Sequence, residues 1–163
     1  MVASVALVSA MTSGGRPQAA QQWHDEPPYI RGLIPHWTGL VDPAGRCRFS
    51  VPGDWTIRDA ERLAVAPDGS ATAVEEWADS STWAHYKAGV FGTLKPTVFH
   101  EDSTQRLWIE YAAGWAGIHH HVAVPAPGGA CVLQIDVRAR AAHGLDDIVR
   151  QVAESLIALL SRS

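Results

Sequence analysis

Residues 118–138, IHHHVAVPAPGGACVLQIDVR, decide the fold class of this chain. Apolar and polar residues alternate on both sides of the Pro- and Gly-rich segment 125–130, which predicts two antiparallel strands joined by a turn. A slip of one residue would turn a whole apolar face to solvent, so the apolar faces determine the register. The predicted pairs are Ile118 with Val137, Val122 with Leu133 and Val124 with Cys131.

The strand pair is followed by a predicted amphipathic helix over residues 145–160. Its apolar residues recur at the i, i+3, i+4, i+7 spacing of one helix face, which we expect to dock on the sheet. Asp146 and Asp147 lie in its first turn, where the helix dipole favours anions. The apolar stripe consists of Leu145, Ile148, Val149, Val152, Leu156, Leu159 and Leu160.

Upstream segments extend this pattern with more strands and one more helix. A period-two strand is predicted over 46–52, a hairpin around the Asp-Gly turn 67–70, and strands over 97–100 and 107–112. A helix is predicted over 82–94, after the N-cap residues Asp-Ser-Ser. The order predicts an α+β fold in which helices flank an antiparallel sheet.

A chain of 163 residues suits one domain that folds without a metal or a disulfide. We predict that domain over 46–163, after an apolar tail and linker over 1–45. Residues 1–10, MVASVALVSA, end in a small-x-small pattern like that of a secretory signal, although no Lys or Arg precedes them. We expect an extracytoplasmic location in preference to a cytoplasmic one, with an ordinary apolar tail as the alternative.

Charge and hydropathy exclude several classes of partner. The net charge is −4 and no basic stripe is visible, so we expect no nucleic acid. No apolar run reaches the ~18 residues of a transmembrane segment. The nucleotide-binding, hydrolase and zinc-protease signatures are missing from the sequence. We therefore assign no catalytic residue and expect no cofactor.

The histidine run 119–121 is the most conspicuous chemical feature. On a strand His119 and His121 share a face, and the predicted register sets His119 opposite Asp136. Two imidazoles and one carboxylate are a known metal-ligand set. The alternative, which we prefer, is a polar sheet face on which His119 pairs with Asp136. The other histidines, His100 among them, are expected to be solvated or hydrogen-bonded.

Two further features leave alternatives open. Trp108 shares its strand face with Arg106 and Glu110, so it marks a partner surface if no helix covers that face and is core otherwise. Cys47 and Cys131 both lie on apolar strand faces. They form a disulfide if their strands are neighbours or face each other, and are two buried thiols otherwise.

The segment FSVPGDW at 49–55 resembles the F-x-x-P-x-x-W opening of PsbP-like domains, and APDG at 66–69 is similar to the hairpin that follows it there. The likeness covers about 46–160. The family includes a photosystem extrinsic subunit, a Ran-binding nuclear import factor, mycobacterial small lipoproteins and bacterial secretion-effector chaperones. The resemblance implies an antiparallel sheet between helices, an α/β/α sandwich, and a non-catalytic binding role. No residue here matches the family's manganese or Ran contacts.

We therefore predict a non-catalytic binding or accessory protein with an unknown protein or small-molecule partner. The absence of Asn and the presence of only two Lys, against abundant Arg, point to a GC-rich bacterial genome. The alternatives are a metal-dependent enzyme or metal-binding protein that uses the His119/His121 strand, and a secretion-effector chaperone.

Overall fold

The computed structural model describes residues 36–58, 62–112, 117–139 and 141–159. Over these ranges the chain forms ten strands and two helices. The strands are β1 (Trp37–Val41), β2 (Cys47–Pro52), β3 (Thr56–Arg58), β4 (Leu63–Val65), β5 (Ala71–Asp79), β6 (Val98–Asp102), β7 (Leu107–Ala112), β8 (Ile118–Ala126), β9 (Gly129–Val137) and β10 (Ile157–Ala158), and the helices are α1 (Trp83–Thr93) and α2 (Ala142–Glu154).

Two antiparallel sheets organise these elements. The larger has seven strands in the order β3-β4-β5-β9-β8-β7-β6, and the smaller consists of β1, β2 and β10. The central hairpin of β8 and β9 has the predicted register, with Ile118 opposite Val137 and Val124 opposite Cys131. The α+β prediction is confirmed, since helices flank a large antiparallel sheet.

The two faces of the large sheet are covered differently. Successive side chains of β9 alternate between two apolar clusters, as strand geometry requires. Leu133 and Ile135 point to the face covered by α2 and β2, which we call the α2 face. Val132 points to the face covered by α1, which we call the α1 face.

The closing helix differs from its prediction at both ends. It begins at Ala142 and ends at Glu154, so its predicted extension to residue 160 was wrong. The Ser155 hydroxyl donates to the Val152 carbonyl at 2.7 Å and accepts the Ser50 N–H at 2.8 Å. The contact with Ser50 holds the end of α2 against β2, and the next residues pair with β2 as strand β10. Leu156 is still completely buried, because the turn keeps it over the core.

The N-terminal strand lies upstream of the domain boundary predicted at Arg46. All five residues of β1 pair with β2, and Trp37 and Leu40 pack against the main core. The Asp42 carboxylate ties the connecting turn, accepting N–H groups from Ala44, Arg46 and Cys47. The predicted boundary therefore falls in a turn. The N-terminal run 1–10 lies outside the described residues.

Candidate functional site

Helix α1 begins with a side-chain cap one residue after the predicted cap. Thr82 is the N-cap, and its hydroxyl accepts the His85 N–H at 3.1 Å. Tyr86 is the buried residue of this helix. Gly89 and Gly92 are exposed and contribute no side chain to the packing. The helix therefore covers the sheet incompletely.

An open cleft of about 440 Å³ lies between α1 and the sheet. Its floor is formed by polar side chains of β7, β8 and β9, and its rim by α1 and the segment before it. Apolar and hydrogen-bonding groups are mixed along the wall, which is typical of small-molecule sites. The lining residues are Asp79, Ser80, His85, Tyr86, Gly89, Val90, Thr93, Leu94, Tyr111, His121 and Gln134.

A hydrogen-bonded pair forms the deepest part of the cleft. The Tyr86 hydroxyl lies 2.7 Å from His121 Nε2, and both residues are buried. Burial lowers the pKa of His121 to about 4. Burial also raises the pKa of Tyr86, and the Glu76 carboxylate adds to that rise. Both groups are therefore neutral at pH 7 and exchange protons poorly there, since a general acid or base works best when its pKa lies near the operating pH.

A second set of polar contacts continues along the same floor. The Tyr111 hydroxyl donates to Gln134 Oε1 at 3.3 Å, and its ring stacks on His119 with centroids 5.2 Å apart. Burial raises the pKa of Tyr111, with Asp136 and Glu76 adding to it. The cleft thus offers aromatic faces together with neutral hydrogen-bonding groups.

Of the three residues proposed as metal ligands, the structure brings two together and leaves the third with another partner. His119 and Asp136 are directly opposite, as the register predicted, and His119 Nδ1 contacts Asp136 Oδ1. His121 is paired with Tyr86 instead. The two histidines share the α1 face, but each is held by a different partner.

Trp108 lies in the main core on the α2 face and is 9% exposed. Its ring stacks on His100 with centroids 4.2 Å apart, and its Nε1–H donates to His120 Nδ1 at 3.3 Å. The structure therefore places it in the core, the second of the two alternatives, and its ring is not open to a partner.

Sequence reasoning missed a polar row on the α2 face. His100, Glu110 and His120 come from β6, β7 and β8, and their ligand atoms all lie within 4.8 Å of one another. No other trio of His, Cys, Asp or Glu reaches this proximity in the part of the chain that the structure describes. The β7–β8 register, which pairs Glu110 with His120, was the available signal.

Cys47 and Cys131 are joined in the structure, with Cα atoms 5.6 Å apart. Their strands belong to different sheets, so β2 and β9 face each other across the core instead of pairing. This is one of the two geometries in which the sequence allowed a disulfide. The bond ties the small sheet to the centre of the large one.

No family model and no curated protein sequence matches this chain. Within the described ranges, neither helix has the length and apolar character needed to cross a bilayer.

Solved structures do match the chain over most of its length. The solution structure of cyanobacterial PsbP (CyanoP) from Synechocystis sp. PCC 6803 has 10% identity and a TM-score of 0.54, covering 80% of this chain and 98% of that one. LpqN, involved in cell envelope biogenesis of Mycobacterium tuberculosis, has 17% identity and a TM-score of 0.48, covering 77% and 91%. The Ran-binding protein Mog1p of Saccharomyces cerevisiae has 11% identity and a TM-score of 0.46, covering 75% and 95%.

Identities this low carry information about the fold alone, and of these three structures CyanoP has the TM-score above 0.5. Its likeness spans 98% of that protein and 80% of this chain. The resemblance drawn from FSVPGDW and APDG is thereby confirmed at the level of architecture: this chain has the PsbP-like fold.

Proposed function

We propose that this protein is a non-catalytic binding protein and that the cleft under α1 holds its ligand. The cleft itself is the observation that carries the proposal. Its volume of about 440 Å³ lies within the range of roughly 300–1,000 Å³ found for small-molecule sites. The Tyr86–His121 pair at its floor is buried and mutually hydrogen-bonded, which suits a rigid binding wall.

The lining indicates the chemical class of the ligand. Tyr86 and Tyr111 present aromatic rings, Gln134 presents an amide, and Val90 and Leu94 supply apolar contact. Asp79 at the mouth is the single carboxylate among the lining residues, and no Lys or Arg lies among them. We therefore infer a small uncharged molecule with a ring and hydrogen-bonding groups, or a peptide side chain of that chemistry.

The glycines of α1 provide a direct test. Gly89 lines the cleft and Gly92 does not, yet a Cβ added at either position meets nothing within 4 Å. A side chain at position 89 therefore begins in open space beside the cleft, where Gly89→Phe should obstruct ligand entry, and Gly92→Phe is the matched control on the same helix. The probe is a library of small uncharged aromatic compounds, screened by saturation-transfer NMR against the whole chain.

We expect compounds that bind the wild type to bind Gly92→Phe equally and to lose binding in Gly89→Phe. If no compound binds, or if binding survives in Gly89→Phe, the cleft is not the binding site. Circular dichroism of both variants checks that the fold is retained.

The disulfide supports a second inference, about the cellular compartment in which the protein functions. Disulfides persist in oxidising compartments and are rare in the cytosol. The bond between Cys47 and Cys131 therefore favours an extracytoplasmic location. A count of free thiols in denatured, unreduced protein from its native source tests this, and two free thiols would contradict it.

A further inference from the structure

We propose that His100, Glu110 and His120 form a binding site for a divalent transition-metal ion, with Zn²⁺ as the best fit. This site lies on the α2 face, on the opposite side of the sheet from the cleft. It is independent of the ligand proposed for that cleft.

Three neighbouring strands bring the ligands together. Glu110 on β7 and His120 on β8 are direct cross-strand partners. The pairing of β6 with β7 is irregular between Phe99 and Glu101, and His100 lies at that irregularity. Such irregularities re-aim a side chain. Here the result is that His100 stands beside Glu110, with His100 Nε2 2.5 Å from Glu110 Oε1.

The donor set and its spacing suit zinc. Two imidazoles and one carboxylate form a recognised set of protein ligands for Zn²⁺ that leaves one position open. Bonds of about 2.1 Å in a tetrahedral site place neighbouring ligand atoms about 3.4 Å apart. His120 Nδ1 lies 3.6 Å from Glu110 Oε1, close to that spacing. A metal would take the place of the proton between His100 and Glu110, and the His100 ring would then carry its proton on Nδ1.

Trp108 contacts both imidazoles. Its ring stacks on His100, and packing of this kind orients a ligand side chain. Its N–H donates to the His120 Nδ1 lone pair that faces Glu110, so a metal ion that binds this nitrogen must displace that hydrogen bond. Metal binding should therefore change the surroundings of Trp108.

Exposure rises from one end of the row to the other. The side chain of His120 is 9% exposed, that of Glu110 19% and that of His100 32%. An ion can therefore enter from the His100 side while the inner ligand stays fixed in the core.

The sheet offers a matched control on its other face. His119 also contacts a carboxylate, that of Asp136, but no third ligand joins the pair among the described residues. His119→Ala therefore removes an imidazole–carboxylate contact without touching the proposed site. His100→Ala and Glu110→Gln remove the two outer ligands, which are less buried than His120 and so less needed for folding.

The experiment is a calorimetric titration of Zn²⁺ into the untagged, chelator-treated full chain, with Co²⁺ absorption as a second probe. We expect one Zn²⁺ per chain, a change in tryptophan fluorescence and the visible absorption of Co²⁺ bound by nitrogen and oxygen ligands. We expect the affinity to fall at least about tenfold in His100→Ala and in Glu110→Gln, and to be unchanged in His119→Ala.

Three results would overturn the site: no Zn²⁺ bound by the wild type, binding unaffected by His100→Ala and Glu110→Gln, or an equal loss in His119→Ala. Melting curves without metal identify any variant that has lost its fold. The Gly89→Phe variant should bind Zn²⁺ normally, which separates this result from that of the cleft.

Discussion

The two helices cover opposite faces of one sheet, and they do so in different ways. From α2 and the turn after it, Leu145, Val152 and Leu156 are completely buried. From α1 only Tyr86 is buried, while Val90 and Leu94 are partly exposed. The α2 face is packed with apolar side chains and joined by the disulfide, whereas the α1 face keeps an open volume beneath its helix.

Each face also contains buried polar groups. On the α1 face Tyr86 pairs with His121 and Tyr111 with Gln134, while His119 Nε2 is buried without a hydrogen-bond partner. On the α2 face Glu75 is buried with Oε1 unpaired, while its Oε2 lies 3.4 Å from Arg62 Nη1. Apolar burial is the larger source of stability, and an unpaired buried polar atom opposes it. We infer that the α2 face stabilises the fold and the α1 face is shaped for a ligand.

Opening the disulfide should give the largest loss of stability. Cys47 and Cys131 are 84 residues apart, and chain entropy predicts up to about 4–5 kcal/mol for a loop of that length. Urea unfolding with and without a reductant measures the difference in unfolding free energy. The Cys47→Ala/Cys131→Ala double variant should not respond to the reductant. A wild-type midpoint that the reductant leaves unchanged would contradict the role given to the α2 face.

The same leucine deletion on each face compares their packing directly. Leu156→Ala should reduce the unfolding free energy by about 3 kcal/mol, because Leu156 is completely buried. Leu94→Ala, at the end of α1, should cost less than about 1.5 kcal/mol, because Leu94 is partly exposed beside the cleft. Denaturant titrations of the two variants provide the values, and equal losses would remove the distinction between the faces.

Tyr86→Phe tests the polar floor of the cleft. It removes the hydroxyl that pairs with buried His121, and we expect a loss of about 1–2 kcal/mol because the imidazole is left without that partner. Tyr111→Phe removes a longer hydrogen bond from a half-buried ring, where water can replace it, and should cost under about 1 kcal/mol. Thermal melts rank the two, and the reverse order would show that the Tyr86 contact is not structural.

Replacing Glu75 should give the smallest of these changes in unfolding free energy, and that change should depend on pH. Burial raises its pKa above the usual 4.5, and Arg62 only partly opposes this. The folded protein therefore holds the Glu75 proton more tightly than the unfolded chain does. Its contribution to stability is present below the usual pKa and is lost as pH rises through the folded pKa.

Glu75→Gln removes that dependence. We expect the variant to gain stability over the wild type at neutral pH, and the gain to shrink as pH falls toward 4.5. Urea midpoints across this range measure it. Glu76→Gln, at an exposed position on the α1 face of the same strand, is the control. A gain that does not vary with pH would mean that Glu75 is not held in its protonated form.

The local sequence pattern was enough to predict the central hairpin, helix α1 and one contact of the candidate site, that of His119 with Asp136. The alternation in β8 and β9 predicted their register, and with it the meeting of His119 and Asp136. Helix α1 begins and ends within one residue of its predicted range 82–94. In each case the signal lies in neighbouring residues, because side chains repeat every two residues in a strand and every 3.6 in a helix.

The end of α2 and the place of β1 did not follow from local pattern. Leu156 and Leu159 continue the helical stripe in sequence, but the helix ends before them at Ser155, whose hydroxyl accepts the Ser50 N–H. Residues 37–41 read as part of a linker because their packing depends on β2 and on the core behind it.

What the sequence determined by itself is the α+β class, the central hairpin and the apolar stripe of α2, since periodicity encodes which face of each element is apolar. Only the tertiary structure decided which elements face each other. It joined β2 to β9 across the core, left a cleft beneath α1 beside Gly89, and gathered His100, Glu110 and His120 from three strands. These are contacts between residues distant in sequence, and their formation depends on how whole layers pack.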